Sequence, residues 1–184
     1  MAALVDAIDA AIERENPPNV GRSYLGCSQL AKSCERELWY SFHWSDSRRW
    51  EPRILRLLGR GNHEEQLMNS HMTKAGVDVY ALDEDGNQYA FSAVGGHLRG
   101  HCDGFVKNLP DNPEWHLLEL KTANEKSFAQ TEKNGVKADK PVHWGQMQIY
   151  MHLAGDLRYA MYLVVNKNTD ALYDERVEYD QIEA

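Results

Sequence analysis

Cysteine is scarce in this 184-residue sequence. Cys27, Cys34 and Cys102 are odd in number and widely spaced. They do not make a disulfide framework, and all three are expected to be reduced. A zinc or iron–sulfur site would need more sulfur ligands or closely spaced histidines. His97 and His101 share a face, but on an extended strand they would stand about 13 Å apart, too far for one metal. No run of eighteen apolar residues exists, so no membrane-spanning helix is expected and no membrane partner. A basic segment followed by an apolar run is missing from the N-terminus, so the cytoplasm is the expected compartment. Positive charge is also in deficit: 20 Lys and Arg stand against 28 Asp and Glu, a net charge of -8. By itself that balance argues against non-specific nucleic-acid binding. Repeats, low-complexity tracts and domain linkers are absent as well. The length then predicts one domain over 1–184, with N-terminal helices in 1–75 and a sheet with its helix in 76–184.

The basic residues that are present cluster. Arg48, Arg49, Arg53, Arg56 and Arg60 form one group, and Lys126, Lys133, Lys137 and Lys140 another. Each could be a solvated face or a nucleic-acid contact. Leu4, Ile8 and Ile12 have helical spacing, and Asn16-Pro17-Pro18-Asn19 ends that helix. Ser28 suits the N-cap of a second helix reaching about Phe42. Pro52 suits the first turn of a third, over roughly 52–74. The period then changes to two. Segments 77–81 and 88–92 predict a hairpin around Asp85-Gly86. Leu98–Val106 and Trp115–Thr122 predict two further strands. A helix is expected near 141–154, and a closing hairpin from Tyr159–Asn166 and Tyr173–Tyr179. This order predicts an α/β or α+β sheet with helices on its faces.

Chemistry concentrates on the middle strands. Alternation places Arg99, His101, Asp103 and Phe105 on one face, and Glu119 with Lys121 on one face of the next strand. Leu118 and Leu120 point the other way, into a core. A lone Glu-Leu-Lys is more often a weak surface ion pair than a site. Asp103 changes the odds. If the two strands pair, Asp103 and Glu119 converge, and two close carboxylates call for a cation between them. Hard oxygen ligands suit Mg²⁺ or Mn²⁺. Gln146 and Tyr150 lie at i, i+4 on one helical face.

These residues in this order resemble the PD-(D/E)XK nuclease superfamily, and within it the RecB-like exonucleases, which include phage recombination and CRISPR-associated members. The resemblance rests on Gly59-Arg60-Gly61-Asn62-His63, Gly100-His101-Cys102-Asp103-Gly104, Leu118-Glu119-Leu120-Lys121-Thr122 and Gln146-Met147-Gln148-Ile149-Tyr150, across about 22–167. Ser28 and Cys34-Glu35-Arg36 are similar to a helix that many members carry before the core. The proline of the family name is Cys102 here. No cysteine follows it, so the iron–sulfur cluster of some relatives is not expected. The family often adds a helix after its last strand, which leaves a minimal domain or a missing C-terminal part as readings.

The resemblance implies a restriction-endonuclease-like α/β core, a mixed central sheet flanked by helices. It implies one or two Mg²⁺ or Mn²⁺ ions on Asp103, Glu119 and the Leu120 carbonyl. His63 is the further metal ligand, with Glu64 in reserve. Lys121 would stabilise charge, Gln146 would help place the phosphate and Tyr150 would support it. Ser28, Arg36 and Arg60 are the candidate DNA contacts. The expected activity is DNA phosphodiester hydrolysis, by an exonuclease of recombination or repair in a bacterium or phage-infected host, acting on single- or double-stranded ends. A homo-oligomer or a recombination partner protein is compatible with it. Two alternatives stay open: a non-catalytic DNA-binding module on the same fold, and a nuclease that prefers RNA.

Overall fold

The structure is a computed structural model that describes residues 3–17, 24–32, 34–43, 49–155 and 157–181. Arg48 of the arginine group and Pro18-Asn19 of the first helix stop lie outside them. In chain order the elements are α1 (Ala3–Glu15), β1 (Leu25–Gly26), α2 (Cys27–Leu30), α3 (Glu35–Phe42), α4 (Pro52–Lys74), β2 (Asp78–Tyr80), β3 (Ala90–Ala93), β4 (Leu98–His101), β5 (Gly104–Lys107) and β6 (His116–Ala123). They continue with α5 (Glu125–Asn134), α6 (Val136–Asp139), α7 (Pro141–Leu153), β7 (Tyr159–Asn166) and β8 (Leu172–Glu178).

The main sheet runs β2-β5-β6-β7-β8, and a smaller one runs β1-β4-β3. In the main sheet β6 and β7 are parallel, and its other neighbours are antiparallel. The parallel pair needs a crossover, and α5, α6 and α7 supply it. This is the expected mixed α/β sheet flanked by helices. Its two faces pack separately. Leu118, Leu120, Met161 and Val165 meet Met68 and Met72 of α4. On the other face Leu117, Tyr162, Val164 and Val177 cluster with Met147, Tyr150 and Met151 of α7. The strict alternation along β6 therefore feeds two cores.

The structure corrects three expectations. The helix from Ser28 to Phe42 is two helices. Gly26, not Ser28, caps the first, and its N–H donates to Gln29 Oε1 at 3.0 Å. Cys34 is extended and starts α3, whose first turn carries Glu35 and Glu37, where the helix dipole favours negative charge. The turn at Asp85-Gly86 forms, with Asp83 Oδ1 accepting from the N–H groups of Asp85 and Asn87. Its flanking strands do not pair with each other, however: β2 joins β5 and β3 joins β4. Val77 and Val79 belong to the α4 core, whereas Tyr89 and Phe91 belong to the α7 core, so burial pulls the two arms apart. The strand over Leu98–Val106 breaks at Cys102-Asp103, where the chain passes from the small sheet to the large one. Gly104 makes the turn possible at φ 133°, and a Cβ there would lie 2.5 Å from the Tyr80 carbonyl oxygen. The segment between β6 and α7, for which the sequence predicted no element, holds α5, capped by Asn124 Oδ1 accepting from the Ser127 N–H at 2.9 Å.

Candidate active site

The site lies where β5 leaves β6. Their pairing ends at Gly104 opposite Leu118, while β6 continues to Ala123 beside β7 alone. The strand edge from Glu119 onward thus needs other partners. Asp103, at the break between β4 and β5, supplies one: its Oδ2 accepts from the Leu120 N–H at 2.7 Å. The break that spoiled the simple alternation is therefore what delivers Asp103 to the strand carrying Glu119.

Glu119 is 0% exposed. Gln146 Nε2 donates to its Oε2 at 3.3 Å. Its Oε1 is held by the Lys121 ammonium at 2.5 Å and by no other group among the described residues. Lys121 Nζ also donates to the Leu120 carbonyl at 3.0 Å and lies 3.6 Å from Asp103 Oδ2. Burial pushes the Glu119 carboxyl up from its usual range. Lys121 opposes that shift, and the charges of Asp103 and Glu65 add to it. Burial alone would lower Lys121, but Glu119 and Asp103 outweigh it and hold the ammonium firmly protonated.

An open pocket beside this cluster is lined by Leu57, Leu58, Glu64, Glu65, Lys121 and Lys167, among others. His63 is exposed and is not in that lining. The acid on α4 that shares the field of the site is Glu65. Burial and Asp103 raise its pKa, and Lys121 opposes them. Glu65 follows Gly61 by four residues and precedes Met68 by three, so it lies on the inward stripe of α4, with His63 about 200° away from it. The stripe of Met68 and Met72 was the signal in the sequence that could have found it.

Gln146 and Gln148 part as helical geometry requires. Gln148 Nε2 donates to the Glu178 carbonyl at 3.0 Å, and its Oε1 accepts from the Asp180 N–H at 2.8 Å, so it ties α7 to the end of β8. The Tyr150 hydroxyl donates to the His101 carbonyl at 2.8 Å and so braces β4 just before Asp103. Two further residues adjoin the cluster. Tyr162 stands in register with Glu119, and its hydroxyl is 2.8 Å from His143 Nδ1. Burial, with Lys121 and Lys140 adding to it, pushes His143 down to about 4, so the imidazole is neutral.

Arg60 is itself outside the pocket lining but donates to the carbonyl of the lining residue Lys167 at 3.1 Å. Ser28 and Arg36 are exposed on α2 and α3, outside the pocket lining. Part of the arginine group is used internally: Arg49 and Arg56 pair with Glu13 and Asp9 of α1.

Among the described residues no three His, Cys, Asp or Glu side chains close around one point. The convergent donors are two carboxylates and one backbone carbonyl, already gathered on a positive charge. Such an all-oxygen set, with one buried carboxylate oxygen held only by a cation, suits a hard divalent cation.

No protein-family model matches this sequence, and no curated protein matches it. Solved structures do. An alkaline exonuclease from Laribacter hongkongensis, LHK-Exo, aligns with a TM-score of 0.61 at 16% identity, over 96% of this chain and 84% of that one. Its complex with dAMP aligns at 0.62 and 16%, over 97% and 84%. The structure of SSO0001 aligns at 0.55 and 13%, over 99% and 81%. At these identities the likeness is one of fold.

Proposed function

We propose that this protein is a divalent-metal-dependent deoxyribonuclease that hydrolyses phosphodiester bonds, with an exonuclease's preference for ends. The observation that carries the reading is the gathering of Asp103, the buried Glu119 and the Leu120 carbonyl around one cationic position at an open sheet edge. The fold shared with an exonuclease that has been captured with dAMP supports it.

Asp103, Glu119 and the Leu120 carbonyl would hold Mg²⁺ or Mn²⁺, with Glu65 the nearest further acid on α4. A divalent ion supplies Lewis-acid charge neutralisation and a better water nucleophile at neutral pH. The chain's own residues do the rest. Gln146 fixes one oxygen of Glu119 and so leaves the other facing Lys121. Lys121 presents a permanent positive charge where the attacked phosphorus gathers negative charge. The products are a 5′-phosphate and a 3′-hydroxyl, as the resemblance to RecB-like nucleases implies. Arg60, hydrogen-bonded to the pocket-lining Lys167, would meet the DNA backbone.

The test is incubation with 5′- and 3′-labelled single- and double-stranded DNA, with Mn²⁺ or with EDTA. Metal-dependent release of mononucleotides from an end is expected. Full activity in EDTA would sink the metal mechanism, and cleavage confined to RNA would reassign the substrate.

A further inference from the structure

The Lys121 ammonium rests on the same three groups that the site offers to a metal. It lies 2.5 Å from Glu119 Oε1, 3.0 Å from the Leu120 carbonyl oxygen and 3.6 Å from Asp103 Oδ2. One set of three oxygens cannot hold two cations at contact distance, because two cations repel strongly at such short range. We propose that Lys121 is a resident cation that fills the divalent-ion position and must be displaced before a metal can bind there. The proposal rests on the metal reading above.

The resident charge has a clear purpose. Glu119 is wholly buried, and its Oε1 is met by the Lys121 ammonium alone among the described residues. An uncompensated carboxylate at that depth is costly, so a metal-free site needs a substitute cation. Lys121 is one residue beyond the Leu120 carbonyl, and its flexible stem lets the ammonium turn without moving β6.

A landing place is also present. Tyr162 is in register with Glu119 on the neighbouring strand and lies within the electrostatic reach of Lys121. Its hydroxyl sits 2.8 Å from His143 Nδ1. With His143 neutral and Nδ1 accepting, the tyrosine proton points at the imidazole, and the phenol oxygen keeps lone pairs free to accept from an ammonium. Lys121 therefore moves from the carboxylates to the Tyr162 oxygen as the metal enters. It stays close to the reacting phosphate, but its charge is no longer spent on the ligands.

Equilibrium binding of Mn²⁺, read by electron paramagnetic resonance of the free ion on the intact chain without DNA, tests this apart from activity. Lys121→Met removes the competitor, so Mn²⁺ should bind about tenfold tighter or better than in wild type. Tyr162→Phe removes the landing place, so it should weaken Mn²⁺ binding in the wild-type background and leave Lys121→Met unchanged. A second measurement needs no variant. Acylation of Lys121, followed by mass spectrometry, should rise when saturating Ca²⁺ or Mn²⁺ frees the amine from its carboxylates. Equal or weaker Mn²⁺ affinity in Lys121→Met, equal effects of Tyr162→Phe in both backgrounds, or unchanged labelling would each overturn the displacement and leave the metal reading standing. Absence of Mn²⁺ binding in both wild type and Lys121→Met would overturn both.

Discussion

Strand β6 carries two buried polar clusters, one at its start and one near its middle, and they are built to opposite standards. At its start His116 is 0% exposed and fully bonded. Arg176 Nε donates to His116 Nε2 at 3.0 Å, so the ring proton is on Nδ1, which donates to the Glu114 carbonyl at 2.9 Å. Arg176 also pairs with Asp111 at 2.7 Å, and the imidazole stacks on Tyr159. Three residues further on, Glu119 is equally buried, yet one oxygen is held only by the Lys121 ammonium and the other has a long hydrogen bond of 3.3 Å. Folding alone favours the first arrangement, since buried polar groups normally find partners. The second leaves Glu119 paired mainly with one mobile cation, which is what the proposed metal site would require.

The largest effect should come from Lys121→Ala. Cleavage is expected to fall by roughly two to four orders of magnitude, as when other transition-state donors are removed, with the protein still folded. A mutant cutting within threefold of wild type would reduce Lys121 to an ion-pair residue and erase the contrast.

Arg176→Met is the matching change at the start of β6. It strands His116 Nε2 and should cost about 1–3 kcal/mol of stability, read in denaturant melts, with cleavage nearly unchanged at a temperature where the protein is folded. Lost cleavage without lost stability would mean that this cluster also serves the site.

Within α7 the same distinction can be made two residues apart. Gln146→Ala should lower cleavage about tenfold or more, as expected for a partner that orients a ligand. Gln148→Ala should instead lower stability, because it unties β8, and should change cleavage less. Equal losses of cleavage would break the division.

Metal should stabilise the wild type. At ten times Kd the gain is about 1.4 kcal/mol, a rise in Tm on the order of 3–6 °C for a chain of this length. Asp103→Asn should abolish that rise. Without metal it should stay within about 1 kcal/mol of wild type, since an amide oxygen can still accept from the Leu120 N–H. A wild-type melt indifferent to millimolar Mn²⁺ would count heavily against a metal site.

The smallest effect is a pH slope. Burial, opposed by the bond to Glu114 and reinforced by Arg176, lowers the pKa of His116 in the folded state. A depressed histidine stabilises fully above its unfolded pKa of about 6.5, and that contribution is lost as pH falls through the folded value. His116→Gln, whose amide oxygen can accept from Arg176, should lose less stability than wild type between pH 7 and pH 5. Parallel curves would mean that His116 protonates without cost.

What was legible in the sequence was local. The bounds of α1, α4, α7 and β7 follow from apolar period and from the prolines that open α4 and α7. The alternation of β6 separates Leu118 and Leu120 from Glu119 and Lys121, because a strand has a side-chain period of two whatever lies around it. The helical angle between Gln146 and Gln148 likewise survives any context. The tertiary structure decided the rest. Which strands pair depends on which core each arm can enter, so the turn at Asp85-Gly86 joins strands of two different sheets. The chain break that lifts Asp103 onto the Leu120 N–H depends on Gly104 passing under the Tyr80 carbonyl, a contact between distant segments. That Glu65 and not His63 lines the pocket depends on which side of α4 meets the sheet. And the position of the Lys121 ammonium, among three oxygens from two strands, exists only once those strands have diverged.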